Sequence, residues 1–148
     1  NPDMTVELRN APQLHEPIGY SHASIAPPGR IVHLAGQGGA DREGRVEGSL
    51  ATQTERAMLN LVLALEAAGG APEHLVKLTM LVVDWSEMKM NDLLEGLLAA
   101  AQVQPVPAVP ITLHGVSGLF LDAMLVEVEG IAVLPPGSER DPELAAQW

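Results

Sequence analysis

Two stretches of helical periodicity flank one β-branched run, and that order constrains the fold more than any other feature of the chain. Ser49 stands where an N-cap would, and Leu50, Ala57, Met58, Leu61, Val62 and Leu65 recur at the spacing of one helical face. The helix should end at Gly69-Gly70, because glycine accepts the left-handed backbone of a C-terminal cap. Leu75 to Val83 is apolar and β-branched, with Lys77 and Thr79 on one side, and predicts a strand. Asp84 and Glu87 have the spacing of a capping box, and Met90, Leu93, Leu94, Leu97, Leu98 and Ala101 predict the apolar stripe of a second helix. Prolines at 105, 107 and 110 stop it. Elements in this order bury their apolar faces by laying helices on a sheet.

The flanks supply the remaining strands. Val6 to Arg9 is a short extended segment, and Pro12 and Pro17 keep the chain out of helix after it. Tyr20 to Ile25 and Arg30 to Ala35 read as two strands around Pro27-Pro28-Gly29, which predicts a hairpin, with the glycines at 36, 38 and 39 stopping the second strand. Ala108 to His114 reads as a proline-marked edge strand. A loop holding Gly115, Gly118 and Asp122 then leads into the longest strand, Ala123 to Val133. The expected class is α+β, a mixed β-sheet with two helices packed on one face. Residues 1–148 are expected to form one domain, with a core over about 18–134 and an irregular tail over 135–148 that holds at most a helical turn over 142–147.

Charge narrows the function. Nineteen Asp plus Glu against eight Lys plus Arg give a formal charge of -11, which repels phosphate backbones and anionic lipid alike. Neither nucleic acid nor membrane is an expected partner. The longest uncharged stretch, Gly96 to His114, carries too many prolines and glutamines to span a bilayer, and the N-terminus lacks the basic region and apolar core of a signal peptide. With no cysteine there is no disulfide framework, thiolate metal site or thiol nucleophile, and a cytoplasmic location is expected.

Chemistry-bearing residues are few. Period 2 on the last strand puts Leu125, Glu127, Glu129, Ile131 and Val133 on one face and Met124, Val126, Val128 and Ala132 on the other. Two carboxylates therefore stand roughly 6.5–7 Å apart at Cα, close enough for mutual repulsion or burial to fit one for acid–base work. The alternative is that Lys77 on a neighbouring strand pairs with one of them and both are structural. His33 can face a cleft or can be an ordinary, partly buried imidazole. The five histidines form no metal-ligand spacing, so no metal and no cofactor are expected. Gly36-Gln37-Gly38-Gly39 lacks the Lys-Ser/Thr of a phosphate loop, and the adjacent Ser21 and His22 point to opposite faces of a strand.

Several separated segments together resemble the RidA/YjgF family. They are Ile18-Gly19-Tyr20-Ser21-His22-Ala23, Ala35-Gly36-Gln37, Leu65-Glu66-Ala67-Ala68-Gly69-Gly70, Val76-Lys77-Leu78-Thr79, Asn91 after Met90, Pro107-Ala108, and Val126-Glu127-Val128-Glu129-Gly130-Ile131-Ala132-Val133. The likeness runs from about 18 to 133. It implies a chorismate-mutase-like α+β fold assembled as a homotrimer, with a small-molecule cleft at each subunit interface. It further implies hydrolysis of reactive enamines and imines, such as 2-aminoacrylate, to a keto acid and ammonia. The family's ligand-surrounding positions fall on Tyr20, Ala35, Asn91, Val109 and Glu127, with Gly36 and His33 beside them.

Two of these positions depart from the family pattern. Val109 stands where an arginine forms a bidentate clamp on the substrate carboxylate, and no arginine occurs between Arg56 and Arg140. Ala35 replaces a serine. The loop before Glu127 is also longer and the span from Asp84 to Asn91 one residue shorter than in the family. What survives implies Glu127 as general base, with Tyr20 or Asn91 orienting an imine of altered class, one without a carboxylate or one whose acid group meets His33, His114 or backbone N–H groups. The alternative is a non-catalytic trimer that binds a metabolite or partner protein. The family's endoribonuclease label would imply RNA, against which the net charge stands.

Overall fold

The structure, a computed structural model, describes residues 5–136. In chain order it holds β1 (Glu7–Arg9), β2 (Ala23–Ile25), β3 (Arg30–Gln37), α1 (Leu50–Ala67), β4 (Leu75–Val83), α2 (Met90–Val103), β5 (Ile111–Val116) and β6 (Val126–Leu134). Four strands form a mixed sheet in the order β3-β6-β4-β5, antiparallel except for the parallel β4–β5 pair. The expected α+β class, mixed sheet and edge position of β5 are all present. The helical turn expected over 142–147 lies outside the described residues.

Helix α1 forms where its caps predict. Ser49 Oγ accepts the Thr52 N–H at 3.2 Å. At the other end Gly69 takes φ +87° while the Gly70 N–H returns to Leu65 O at 3.0 Å. Its inner face, with Leu61 and Leu65 fully buried, lies on β3 and β6 and meets Leu75, Leu78, Val82, Val126 and Val128 in one core. Burial alternates along β6 and β4, so one face of the sheet belongs to this core and the other turns away from both helices.

Four expectations give way to tertiary contacts. The hairpin about Pro27-Pro28-Gly29 does not form: β2 pairs with β1, and β3 pairs with β6. Side chains clamp the first pairing, since the His22 N–H donates to Asn10 Oδ1 and the Ala11 N–H to His22 Nδ1. Gly29 meanwhile packs so tightly on the Leu134 carbonyl that a β-carbon would collide with it, which docks the start of β3 on β6. Strand β3 also runs on to Gln37, beyond the expected stop at the glycines.

The second helix starts later than its capping-box signal. Asp84 adopts φ +49° and donates its N–H to Val116 O, closing the β4–β5 end, and a 3-10 turn over Glu87–Lys89 precedes α2. The buried residues of α2 are Leu93, Gly96 and Ala100, while Met90, Leu94, Leu98 and Ala101 of the expected stripe stand exposed. The cause is Gly96: it lies against the Ala51 carbonyl and Thr54 Cβ, so α2 approaches α1 closely through its small residues, and the leucines on either side of that seam are turned outward.

Candidate functional site

The face of the sheet opposite the helices gathers most of the chemistry-bearing residues. Register places Thr79 beside Glu129 and Leu81 beside Glu127 across β4–β6, and His33 beside Ile131 across β3–β6. Glu127 is half-buried and Glu129 exposed, so the two carboxylates share a face as their spacing predicts. The ammonium of Lys77 does not neutralise either one; it donates to Thr112 Oγ1 at 2.7 Å. Among the described residues neither carboxylate has an ion-pair or hydrogen-bond partner.

The β3–β6 register slips between Leu34 and Gln37, a bulge that falls on Ala35 and Gly36. Bulges bend a strand locally and re-aim neighbouring side chains. Here the bulge brings the Gly36 Cα under the side chain of Glu127, where a β-carbon would stand 2.6 Å from Cδ and 2.9 Å from Cγ. Only glycine leaves room for the glutamate to lie flat over β3. Beside it, His33, Ala35, Lys77, Thr79, Glu129 and Ile131 line an open recess of about 400 Å³.

The other expected site residues lie elsewhere. Tyr20 precedes β2, its hydroxyl 3.4 Å from His15 Nε2 and its ring edge-on to His22 at 6.3 Å. Asn91 is exposed in the first turn of α2, in the helical layer. Val109 is fully buried in the hydrophobic core. Within one chain, Glu127, Gly36, Ala35 and His33 therefore lie on one sheet face, with Gly36 directly under Glu127 and His33 farther along beside Ile131, whereas Tyr20, Asn91 and Val109 are outside β3 and β6. Among the described residues no group of three His, Asp or Glu side chains is placed to hold a metal ion, and no helix is long and apolar enough to cross a membrane.

One residue that supports this site carries no pattern in the sequence. Gln53, on α1, is buried and donates to Gly48 O and Ala123 O, both at 3.0 Å, while its Oε1 accepts the Leu125 N–H at 2.9 Å. It ties the start of α1 to the segment entering β6, two residues before Glu127. A lone glutamine among Ala, Thr and Glu reads as a solvated helix position; only its place in the heptad, four residues before Ala57, hints at burial.

Comparison with known proteins places these features in a family. The model of a family described as Endoribonuclease L-PSP matches residues 10–134. Among solved structures, a protein of unknown function from the conserved Rid family, YyfB of Yersinia pestis, is 30% identical with a TM-score of 0.76, over 88% of this chain and 100% of that one. A putative endoribonuclease L-PSP from Entamoeba histolytica is 28% identical with a TM-score of 0.59, over 87% and 99%. RidA from an Antarctic Psychrobacter is 25% identical with a TM-score of 0.61, over 89% and 95%. Curated protein sequences return no match.

Proposed function

The chain belongs to the Endoribonuclease L-PSP family, the YjgF/RidA family, and from that premise we propose that it hydrolyses small imines or enamines to a carbonyl compound and ammonia. The observation that carries the reading is Glu127: a half-buried carboxylate laid over Gly36, with no partner among the described residues to consume its basicity. A carboxylate in that state can accept a proton from water as the oxygen attacks the imine carbon. The C–O bond forms while the C=N π pair moves to nitrogen. The proton taken by Glu127 is then returned to that nitrogen to give the carbinolamine. Glu127 next carries the hydroxyl proton to nitrogen as the C=O bond forms and the C–N bond breaks, releasing ammonia, and an enamine enters the same course after tautomerising to its imine. Water and imine enter, carbonyl compound and ammonia leave, and no redox partner is needed.

Assembly is part of the proposal. Tyr20 and Asn91 lie on elements away from Glu127 in one chain, so they orient the substrate if they reach it from a neighbouring copy in a homotrimer, with the outward sheet face at the contact. Ile31, 64% exposed on that face, and its neighbours Ile131 and Val133 across β3–β6 are apolar enough to be covered.

Substrate class follows from position 109. A buried valine offers no bidentate partner to a carboxylate, so imines without an acid group are the favoured substrates. The same substitution supports a second reading, a binding module without turnover. RNA is disfavoured by the charge of -11, which a trimer would triple.

The test is ammonia release from imines of two kinds: those generated from amino acids by an amino-acid oxidase, which keep a carboxylate, and those generated from simple amines, which do not. Faster release than buffer with the second kind supports the proposal. Release indistinguishable from buffer with both, together with saturable binding of either product, supports the binding module.

A further inference from the structure

On the opposite side of β3 from the recess runs a larger groove, about 750 Å³, between the flank of α1 and the segment from Gln37 to Arg42. Its floor is held in place. Asn60 Nδ2 donates to both Gly38 O and Ala40 O at 2.9 Å, and Gly39 packs on the Gln53 backbone with no room for a β-carbon. One wall is apolar, built from Leu59, Leu63 and Ala64, with Leu63 62% exposed. The other carries Arg42, and Arg56 reaches in from α1.

Those two guanidiniums are the point. In a chain with 19 acidic and 8 basic side chains, an exposed arginine would be expected to find a carboxylate, yet neither Arg42 nor Arg56 has an ion-pair or hydrogen-bond partner among the described residues. The one carboxylate lining the groove, Asp41, is already committed. Its Oδ1 accepts the Glu43 and Arg45 N–H groups and its Oδ2 the Arg45 Nε at 3.1 Å. Arg42 and Arg56 therefore face the groove with donors free, beside an apolar wall and on a pinned floor.

We infer that this groove is a binding site for an aliphatic monocarboxylate, its acid group held by Arg42 and Arg56 and its chain laid along Leu59, Leu63 and Ala64. Guanidinium pairs suit a carboxylate through parallel N–H donors, and the volume lies in the range of small-ligand pockets. A single negative charge is favoured over a phosphate dianion because Asp41 on the rim and the acidic chain around it oppose a second charge. The site is separate from the Glu127 face and does not rest on the imine chemistry. It also answers for where a carboxylate can bind on a chain whose core valine at 109 cannot hold one.

The test uses the full chain with hexanoate, acetate and inorganic phosphate as probes, read by amide NMR shifts and by calorimetry. Hexanoate should bind saturably and move the signals of residues 37–42 and 56–64. Arg42→Gln with Arg56→Gln should weaken it about tenfold or more, as expected for losing charge-assisted donors. Leu63→Ser should bring hexanoate down to the acetate level. Both arginines and Leu63 are exposed, so an unchanged melting temperature is expected and separates lost binding from lost fold. Hexanoate binding unaffected by the double substitution, phosphate binding as tightly as hexanoate, or shifts confined to β6 would each overturn the assignment.

Discussion

The side chain of Glu127 lies flat across Gly36, so close that a β-carbon at position 36 would stand 2.6 Å from its Cδ. The atoms in the way are the far end of a flexible chain on an open sheet face, which can swing aside. Gly36→Ala should therefore cost little stability, less than about 1 kcal/mol, since no packed backbone has to move. It should nonetheless displace the carboxylate and lower ammonia release. A thermal melt beside the activity assay separates the two effects.

Gly96 is the contrasting case. A β-carbon there would meet the Ala51 carbonyl, would stand 2.6 Å from Thr54 Cβ and 3.1 Å from the Glu55 nitrogen, and these are mostly backbone of a packed helix that cannot yield. Gly96→Ala forces α2 away from α1 and should destabilise by about 1–3 kcal/mol despite the better helix propensity of alanine, as overpacked cores do. Urea denaturation checks it.

Gln53 holds three backbone groups at once. Gln53→Leu fills the same space but leaves Gly48 O, Ala123 O and the Leu125 N–H without their partner. A loss of about 2–4 kcal/mol is expected from unsatisfied buried groups. Hydrogen exchange at the Leu125 amide should accelerate more than at α1 amides away from position 53.

Helix α1 and strand β4 are legible because their signals are local. Ser49, Gly69 and the helical spacing between them act within one segment, and the run Leu75–Val83 is a strand over the same residues. The shared face of Glu127 and Glu129 follows from period 2 alone. The hairpin is not legible, because a turn signal at Pro27-Pro28-Gly29 cannot reveal that Asn10 and His22 tie β2 to β1. The exposed leucines of α2 escape for a similar reason: periodicity shows that an apolar stripe exists, while the small residue that chooses the contact, Gly96, is silent in it. Position 109 reads as a cleft residue by likeness and is a core residue by packing.

Asp41 should titrate below the ordinary value of 3.8, chiefly because the Arg45 backbone N–H bonds its carboxylate; desolvation is the next largest influence and opposes it, and the Arg45 guanidinium and the Glu43 N–H add to the lowering. Its folded value lying below the unfolded one, the contribution to stability is present above the unfolded value and is lost as pH falls through the folded value. Carbon NMR titration of the carboxyl checks the direction. Arg45→Ala should relax only part of the shift, since the backbone donor remains.

The most direct test of the account is ammonia release by Glu127→Gln beside the parent chain, with the uncharged imines as substrate and equal melting temperatures as the control. The amide keeps the shape over Gly36 but cannot take a proton, so the rate should fall by about 10²–10⁴-fold, the worth of a positioned general base. An unchanged rate in a folded Glu127→Gln chain would contradict the assignment of Glu127 as the base.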